Sequence, residues 1–224
     1  MAVQLPLGIT LADTATFDNF YTGDNAAALH SMRDGAEPFV YLWGASGSGR
    51  THLLQAACQA TAAVGEPAVY LPLGDRAELS PEMLDGLEAM RLVCLDDVDA
   101  IAGLEAWEQS LFHLYNRIRE CGARLLAAAD GAPGALALCL PDLASRLAWG
   151  PVFQLRTLSD ADKLSALQLR ARQRGLDLPA EVGEYLLRRC PRDTHSLFAL
   201  LDSLDKAALA AQRRLTIPFV RENI

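Results

Sequence analysis

Short apolar runs alternate with amphipathic stretches along the first two-thirds of the chain, and the last third is amphipathic throughout. Short, mostly apolar runs bounded by turn residues read as strands, the first of them as a buried one. They fall at 39–43, 68–71, 92–95, 123–129 and 152–155. Between them lie helical patterns: a short one through 26–29, one over 52–63 that stops before Gly65, and one over 104–120. The last carries Trp107, Leu111, Leu114, Tyr115 and Ile118 on a single stripe. Ser80-Pro81-Glu82 reads as a helix start, with serine as cap, proline in the first turn and Leu84, Leu87 and Met90 as the apolar face. A short helix is expected over 141–147. Strands that alternate with helices predict an α/β domain around a parallel sheet. From Ser159 onward the pattern is helical, over 159–175, 179–189 and 193–213, and Ser159-Asp160-Ala161-Asp162 resembles a capping box with aspartate in place of glutamate. A domain boundary is therefore placed near Thr157.

The first strand runs into Gly44-Ala45-Ser46-Gly47-Ser48-Gly49-Arg50-Thr51 and then into a helix. This strand–turn–helix context suits the phosphate-loop pattern G-x-x-x-x-G-K-[ST], matched except that Arg50 replaces lysine. Glycines let consecutive N–H groups converge on one anion, and the helix adds its positive dipole end. Thr51 would offer its hydroxyl to Mg²⁺. Taken alone, the loop could also be an ordinary glycine-rich turn. A second signal follows in the strand over 92–95, which ends on Asp96-Asp97. Carboxylates at the C-terminal edge of a parallel sheet sit where such sheets bind ligands, and an acid that holds Mg²⁺ is expected there in phosphate-loop proteins. An acidic helix cap is the plainer alternative, but the two features in this order favour nucleotide binding.

Composition narrows the function classes. The chain has 224 residues, about half of them hydrophobic, enough for one α/β domain with a small appendage. No apolar run is long enough to span a membrane and no signal peptide is evident, so a cytoplasmic protein is expected. The five cysteines are widely spaced with no C-x-x-C pair, which excludes the usual zinc and disulfide patterns and makes most of them expected core residues. A net charge of −8 disfavours DNA as the direct main partner. Gln4-Leu5-Pro6-Leu7-Gly8-Ile9 reads as an extended tail, which either packs on its own domain or adds to a partner's surface. Phe17 and Phe20, ahead of the first helix, either stack on a base or fill the core.

The ordered set resembles the AAA+ ATPase core of the bacterial replication initiator DnaA, and within that family its Hda-like regulators. Carrying residues are Thr16-Phe17-Asp18-Asn19-Phe20, the loop from Gly44 to Thr51, Leu95-Asp96-Asp97, Leu143-Ala144-Ser145-Arg146-Leu147 with Trp149-Gly150, and Arg214-Leu215-Thr216-Ile217-Pro218-Phe219-Val220. The resemblance implies an AAA+ phosphate-loop fold, a parallel sheet flanked by helices with a small helical lid. It divides the chain into a tail over 1–12, a nucleotide-binding domain over 13–157 and a lid over 158–224.

The resemblance also implies roles. Phe17 and Phe20 would lie beside the adenine of ADP or ATP, with Gly44, Gly47, Ser48, Gly49, Arg50, Thr51 and His52 around the phosphates. Asp96, with Thr51, would hold Mg²⁺, and Asp97 would orient water. Asp130 occupies the first sensor position, His195 the second, and Arg146 the arginine finger that acts in trans. Gln4, Leu5, Leu7 and Ile9 match the peptide by which such regulators dock on the DNA polymerase sliding clamp. Expected partners are therefore the clamp and DnaA, with DNA reached only through the clamp, a homo-oligomer possible and no membrane.

Three departures shape the expected activity. Arg50 is a planar fork where most relatives have a point donor, Asp130 is acidic where a neutral residue is usual, and His195 replaces arginine. All three favour stable retention of ADP and weak intrinsic hydrolysis. No helix-turn-helix follows the lid in this sequence, which favours a regulator over an initiator. The rival expectations are a self-sufficient AAA+ loader or remodeller, and an adaptor that leaves all chemistry to DnaA.

Overall fold

A computed structural model describes residues 15–191 and 193–224, without the side chains of 76–78 and 195. The clamp-peptide residues Gln4, Leu5, Leu7 and Ile9 and the side chain of His195 thus lie outside the described residues. Helix α1 (Ala26–Asp34) leads into β1 (Phe39–Trp43), and α2 (Arg50–Ala63) follows the glycine loop. Then come β2 (Ala68–Pro72), β3 (Leu92–Asp96), α3 (Glu105–Cys121), β4 (Arg124–Ala129), α4 (Pro141–Leu147) and β5 (Val152–Gln154). The five strands form one parallel sheet in the order β2-β3-β4-β1-β5.

This order positions the site. β4 lies between β1 and β3, with Trp43 in register with Ala129 and Leu95 with Ala127. The C-terminal ends of three neighbouring strands therefore bring the loop after Trp43, Asp130 and the pair Asp96-Asp97 to one sheet edge. In β1 to β4, side chains buried on both faces explain the largely apolar runs, while β5 at the sheet edge is partly exposed. Val93, Leu95, Leu111, Leu114 and Ile118 are each fully buried between sheet and α3, and the whole predicted stripe of α3 is in the core.

The described residues divide into two compact units, one made of residues 15–17 and 24–156, the other of residues 18–23 and 157–224. In the second unit, α5 (Asp160–Gln173), α6 (Ala180–Arg189), α7 (Thr194–Ala211) and α8 (Ile217–Glu222) surround their own core of Leu167, Val182, Leu186, Leu201, Leu204 and Val220. The capping box is formed, with the Ser159 hydroxyl accepting from the Asp162 N–H at 3.2 Å while Asp162 accepts from the Ser159 N–H at 3.3 Å. Segment 18–23 joins this unit through Gln173, whose amide donates to the Asp18 carbonyl at 3.1 Å.

Two expectations need correction. The predicted helix beginning at Ser80 is two short 3₁₀ turns, Pro81–Leu84 and Leu87–Ala89. Gly86, at φ 81° between them, breaks the helical path, and Leu84 and Leu87 still reach the core. The cysteines are not mostly core: Cys58 and Cys94 are buried, Cys190 is half-buried, and Cys121 and Cys139 are exposed. Cys121 ends α3 and Cys139 lies in a loop, so neither falls on an inward-facing periodic position.

Candidate nucleotide site

Gly47 and Gly49 adopt φ of 78° and 98°, values that side chains other than glycine rarely tolerate, so the loop can fold back on itself before α2 begins. A Cβ on Gly44 would collide with the Leu155 carbonyl oxygen, and Ser48 Oγ would be 3.1 Å away. Gly44 also donates its N–H to the Ala129 carbonyl at 3.4 Å, which ties the loop to β4. Thr51 is exposed in the first turn of α2, and the His52 ring nitrogen Nε2 is 2.9 Å from the Thr16 carbonyl oxygen. Phe20 is buried, while Phe17 is half-buried with the Arg33 guanidinium 5.7 Å from its ring.

Arg50 is the centre of the arrangement. Its side chain is 9% exposed, and Nη2 lies 2.6 Å from Asp130 and 3.7 Å from Asp97. The three positions that depart from or define the sequence motif are thus joined by ion pairs. Nη1 is buried with no hydrogen-bond acceptor among the described residues, and Ser48 Oγ is buried in the same state. An unmatched buried donor costs about 1–3 kcal/mol, so an anion held by the loop would remove a real penalty. A glycine cradle with an unsatisfied, nearly buried guanidinium fits a phosphate group.

On the acidic side, Asp96 is 1% exposed and accepts from the Tyr70 hydroxyl at 2.9 Å and from the Asp97 N–H at 3.1 Å. Burial and the Asp96 carboxylate raise the Tyr70 phenol far above its ordinary range, which keeps it a donor. Each Asp96 oxygen retains a lone pair, so Asp96 and Thr51 are suited to hold Mg²⁺. Asp97 follows in the left-handed conformation, φ 53° and ψ 48°, which turns the chain sharply after β3. Asp99 accepts from the Asp130 N–H at 3.0 Å, and the Tyr41 hydroxyl donates to the Gly131 carbonyl at 2.9 Å. Together these two contacts hold the turn after β4.

Burial, then the Asp96 charge, raise the Asp97 carboxyl to about 6, and Arg50 opposes the shift. A carboxyl whose folded value is raised destabilises the fold when ionised. The penalty is complete above about pH 6 and fades as pH falls toward the ordinary carboxylate range. Replacing Asp97 with asparagine, which also tolerates the left-handed conformation, should therefore stabilise the protein by roughly 1 kcal/mol at about pH 8, a figure discounted for the partial exposure of this side chain. The gain should vanish near pH 4, as thermal melts of both proteins across pH would show.

Arg146 lies in the last turn of α4, with its guanidinium 5.8 Å from the centre of the Phe112 ring and 5.1 Å from that of Trp149. Among the described residues it makes no ion pair with Asp142 or any other acid. Trp149 is 59% exposed and also lies beneath Arg119, at 5.2 Å.

The profile described as "Hda, lid domain" matches residues 160–224, and that described as "Bacterial DnaA ATPAse domain" matches residues 79–154. Together the two matches support a DnaA-related AAA+ protein. Solved structures agree on the fold of this AAA+ protein. Domain III of the Thermotoga maritima replication initiation protein DnaA matches with a TM-score of 0.79 at 19% identity, over 96% of this chain and 98% of that one. AMPPCP-bound DnaA from Aquifex aeolicus gives 0.73 at 22% identity, over 89% and 67%. The Thermotoga maritima RuvB Holliday junction branch migration motor gives 0.63 at 14% identity, over 89% and 65%. No described helix of this AAA+ protein is long and apolar enough to cross a membrane.

Sequence reasoning assigned no role to Tyr41, Tyr70, Asp99 or Glu108. A tyrosine in a strand buried on both faces must find a partner for its hydroxyl, which is the signal for the first two. Glu108 is wholly buried although it belongs to an amphipathic helix. Its position, three residues before Leu111 and seven before Tyr115, places it on the apolar stripe.

Proposed function

We propose that this protein is an ADP-bound regulator that docks on a DNA-loaded sliding clamp and drives hydrolysis of ATP held by DnaA, which prevents re-initiation of replication. The supporting observation is the state of Arg146. Its guanidinium is braced against two aromatic rings, and among the described residues no carboxylate neutralises it. Packing on rings fixes the side chain and leaves its charge for an external anion. Directed at a nucleotide on a neighbouring molecule, it would stabilise charge that develops on the transferred phosphoryl group. Docking is assigned to Gln4, Leu5, Leu7 and Ile9 on the strength of their sequence pattern.

In this reading the backbone from Gly44 to His52 holds the phosphates of ADP, with Arg50 at its centre and Phe17 and Phe20 toward the base. Bound Mg²⁺, held by Thr51 and Asp96, would neutralise phosphate charge. Asp97 and Asp130 draw on the charge of Arg50, so less of it is left to offset the extra phosphate charge of ATP. Like charges in a partly dry site repel. His195 would add a pH-dependent cation from the lid. The ATPase stimulation is tested by following DnaA-bound ATP with this protein or the clamp omitted in turn. For the nucleotide state, titration calorimetry should find ADP bound about tenfold or more tightly than ATP, a gap set by that repulsion. Equal or reversed affinities would contradict it.

A further inference from the structure

Glu108, on α3, accepts three backbone hydrogen bonds: Oε1 from the N–H groups of Gly103 at 2.7 Å and Cys139 at 3.0 Å, Oε2 from that of Leu140 at 2.8 Å. It is 0% exposed, and no lysine or arginine pairs with it among the described residues. A buried carboxylate without a cation is tolerated only where donors surround it, so this group has a specific task.

The bonds grip the segment that connects two parts of the candidate site. Residues 131–140 leave β4 after Asp130 and enter α4, which carries Arg146. Leu140 immediately precedes that helix, and Pro141, its first residue, has no N–H of its own. Leu143 and Leu147 orient the apolar face of α4, but two leucines on a seven-residue helix do not fix its position along α3. The polar grip on residues 139 and 140 does. One turn beyond Glu108 on α3 stands Phe112, whose ring lies under Arg146, and further along stands Arg119, over Trp149. Helix α3 therefore holds the Arg146 segment at its start and at its end.

We propose that Glu108 is a positioning residue for Arg146: by fixing the N–H groups of Cys139 and Leu140 it sets where α4 begins and hence where the guanidinium is presented. This deepens the trans-activation reading above and rests on it. In Glu108→Gln the amide oxygen keeps the two bonds of Oε1, while the NH₂ group faces the Leu140 N–H, donor against donor.

The experiment uses the full chain labelled with fluorotryptophan, the Trp149 fluorine resonance being assigned by Trp149→Phe. Glu108→Gln should move that resonance. It should also lower the maximal stimulated hydrolysis rate by about tenfold or more while the half-saturating concentration stays within about twofold. Leu201→Ala, a core substitution in the other unit, controls for destabilisation alone and should leave the resonance in place. A folded Glu108→Gln protein with an unmoved resonance, or with a rate loss no larger than that of Leu201→Ala, overturns the proposal. Should Glu108→Gln fail to fold, Glu108→Asp, which keeps the charge one methylene short, is read in the same way. Absence of stimulation by the unmodified protein would defeat the trans-activation reading itself. The Trp149 resonance would then decide the positioning claim alone, movement supporting it and no movement overturning it.

Discussion

Arg146→Ala should lower the stimulated rate of ATP hydrolysis on DnaA by about 10³–10⁵-fold, the range over which arginine fingers act. Melting temperature and nucleotide affinity should stay close to those of the unmodified protein. The reason is local. Arg146 makes no ion pair among the described residues, and its ring contacts with Phe112 and Trp149 lie at the surface end of α4. Leu143 and Leu147, which anchor that helix in the core, are untouched. Arg146→Lys should recover little, because an ammonium lacks the planar fork that stacks on the rings and spans two phosphate oxygens. Single-turnover assays at saturating protein separate this outcome from weakened binding. Retained stimulation would make the protein an adaptor, and loss of folding would make Arg146 a structural residue.

Arg50→Ala should have the second largest effect, a loss of nucleotide affinity of roughly 10- to 150-fold, the equivalent of a charged hydrogen bond of about 1.5–3 kcal/mol. Two contributions act together. The buried guanidinium with an unsatisfied Nη1 is removed, and Asp97 and Asp130 are left without the cation they share. Arg50→Lys should fall between, since lysine supplies the charge but cannot bridge two carboxylates and an anion in one plane. Titration calorimetry measures both variants, and an affinity unchanged in Arg50→Ala would place the anion elsewhere.

The fold was legible where periodicity and turn chemistry agreed. Phe39–Trp43 and Leu92–Asp96 are buried on both faces and read as uninterrupted apolar runs, while the stripe from Trp107 to Ile118 repeats at helical spacing. Legibility failed at Ser80-Pro81-Glu82, where a good helix start is cut short by Gly86. The strand order was not legible either, since β4 inserts between β1 and β3 through pairing that no local pattern encodes. In the site, the loop glycines and the acids Asp96 and Asp97 carry recognisable spacing. The ion pair between Arg50 and Asp130 does not, because the two residues lie far apart in sequence and meet only when β1 and β4 pair. Arg50 and Asp130, which appear in the sequence as separate departures, are physically one: an arginine in the loop compensates an aspartate at the end of the neighbouring strand.

The most direct measurement follows labelled ATP bound to DnaA in the presence of DNA-loaded clamp and this protein preloaded with ADP, each component being omitted in turn. The account predicts rapid conversion to ADP only when clamp, ADP and this protein are all present. Hydrolysis that proceeds at the same rate without this protein, although its binding to ADP and to the clamp is confirmed, would contradict it.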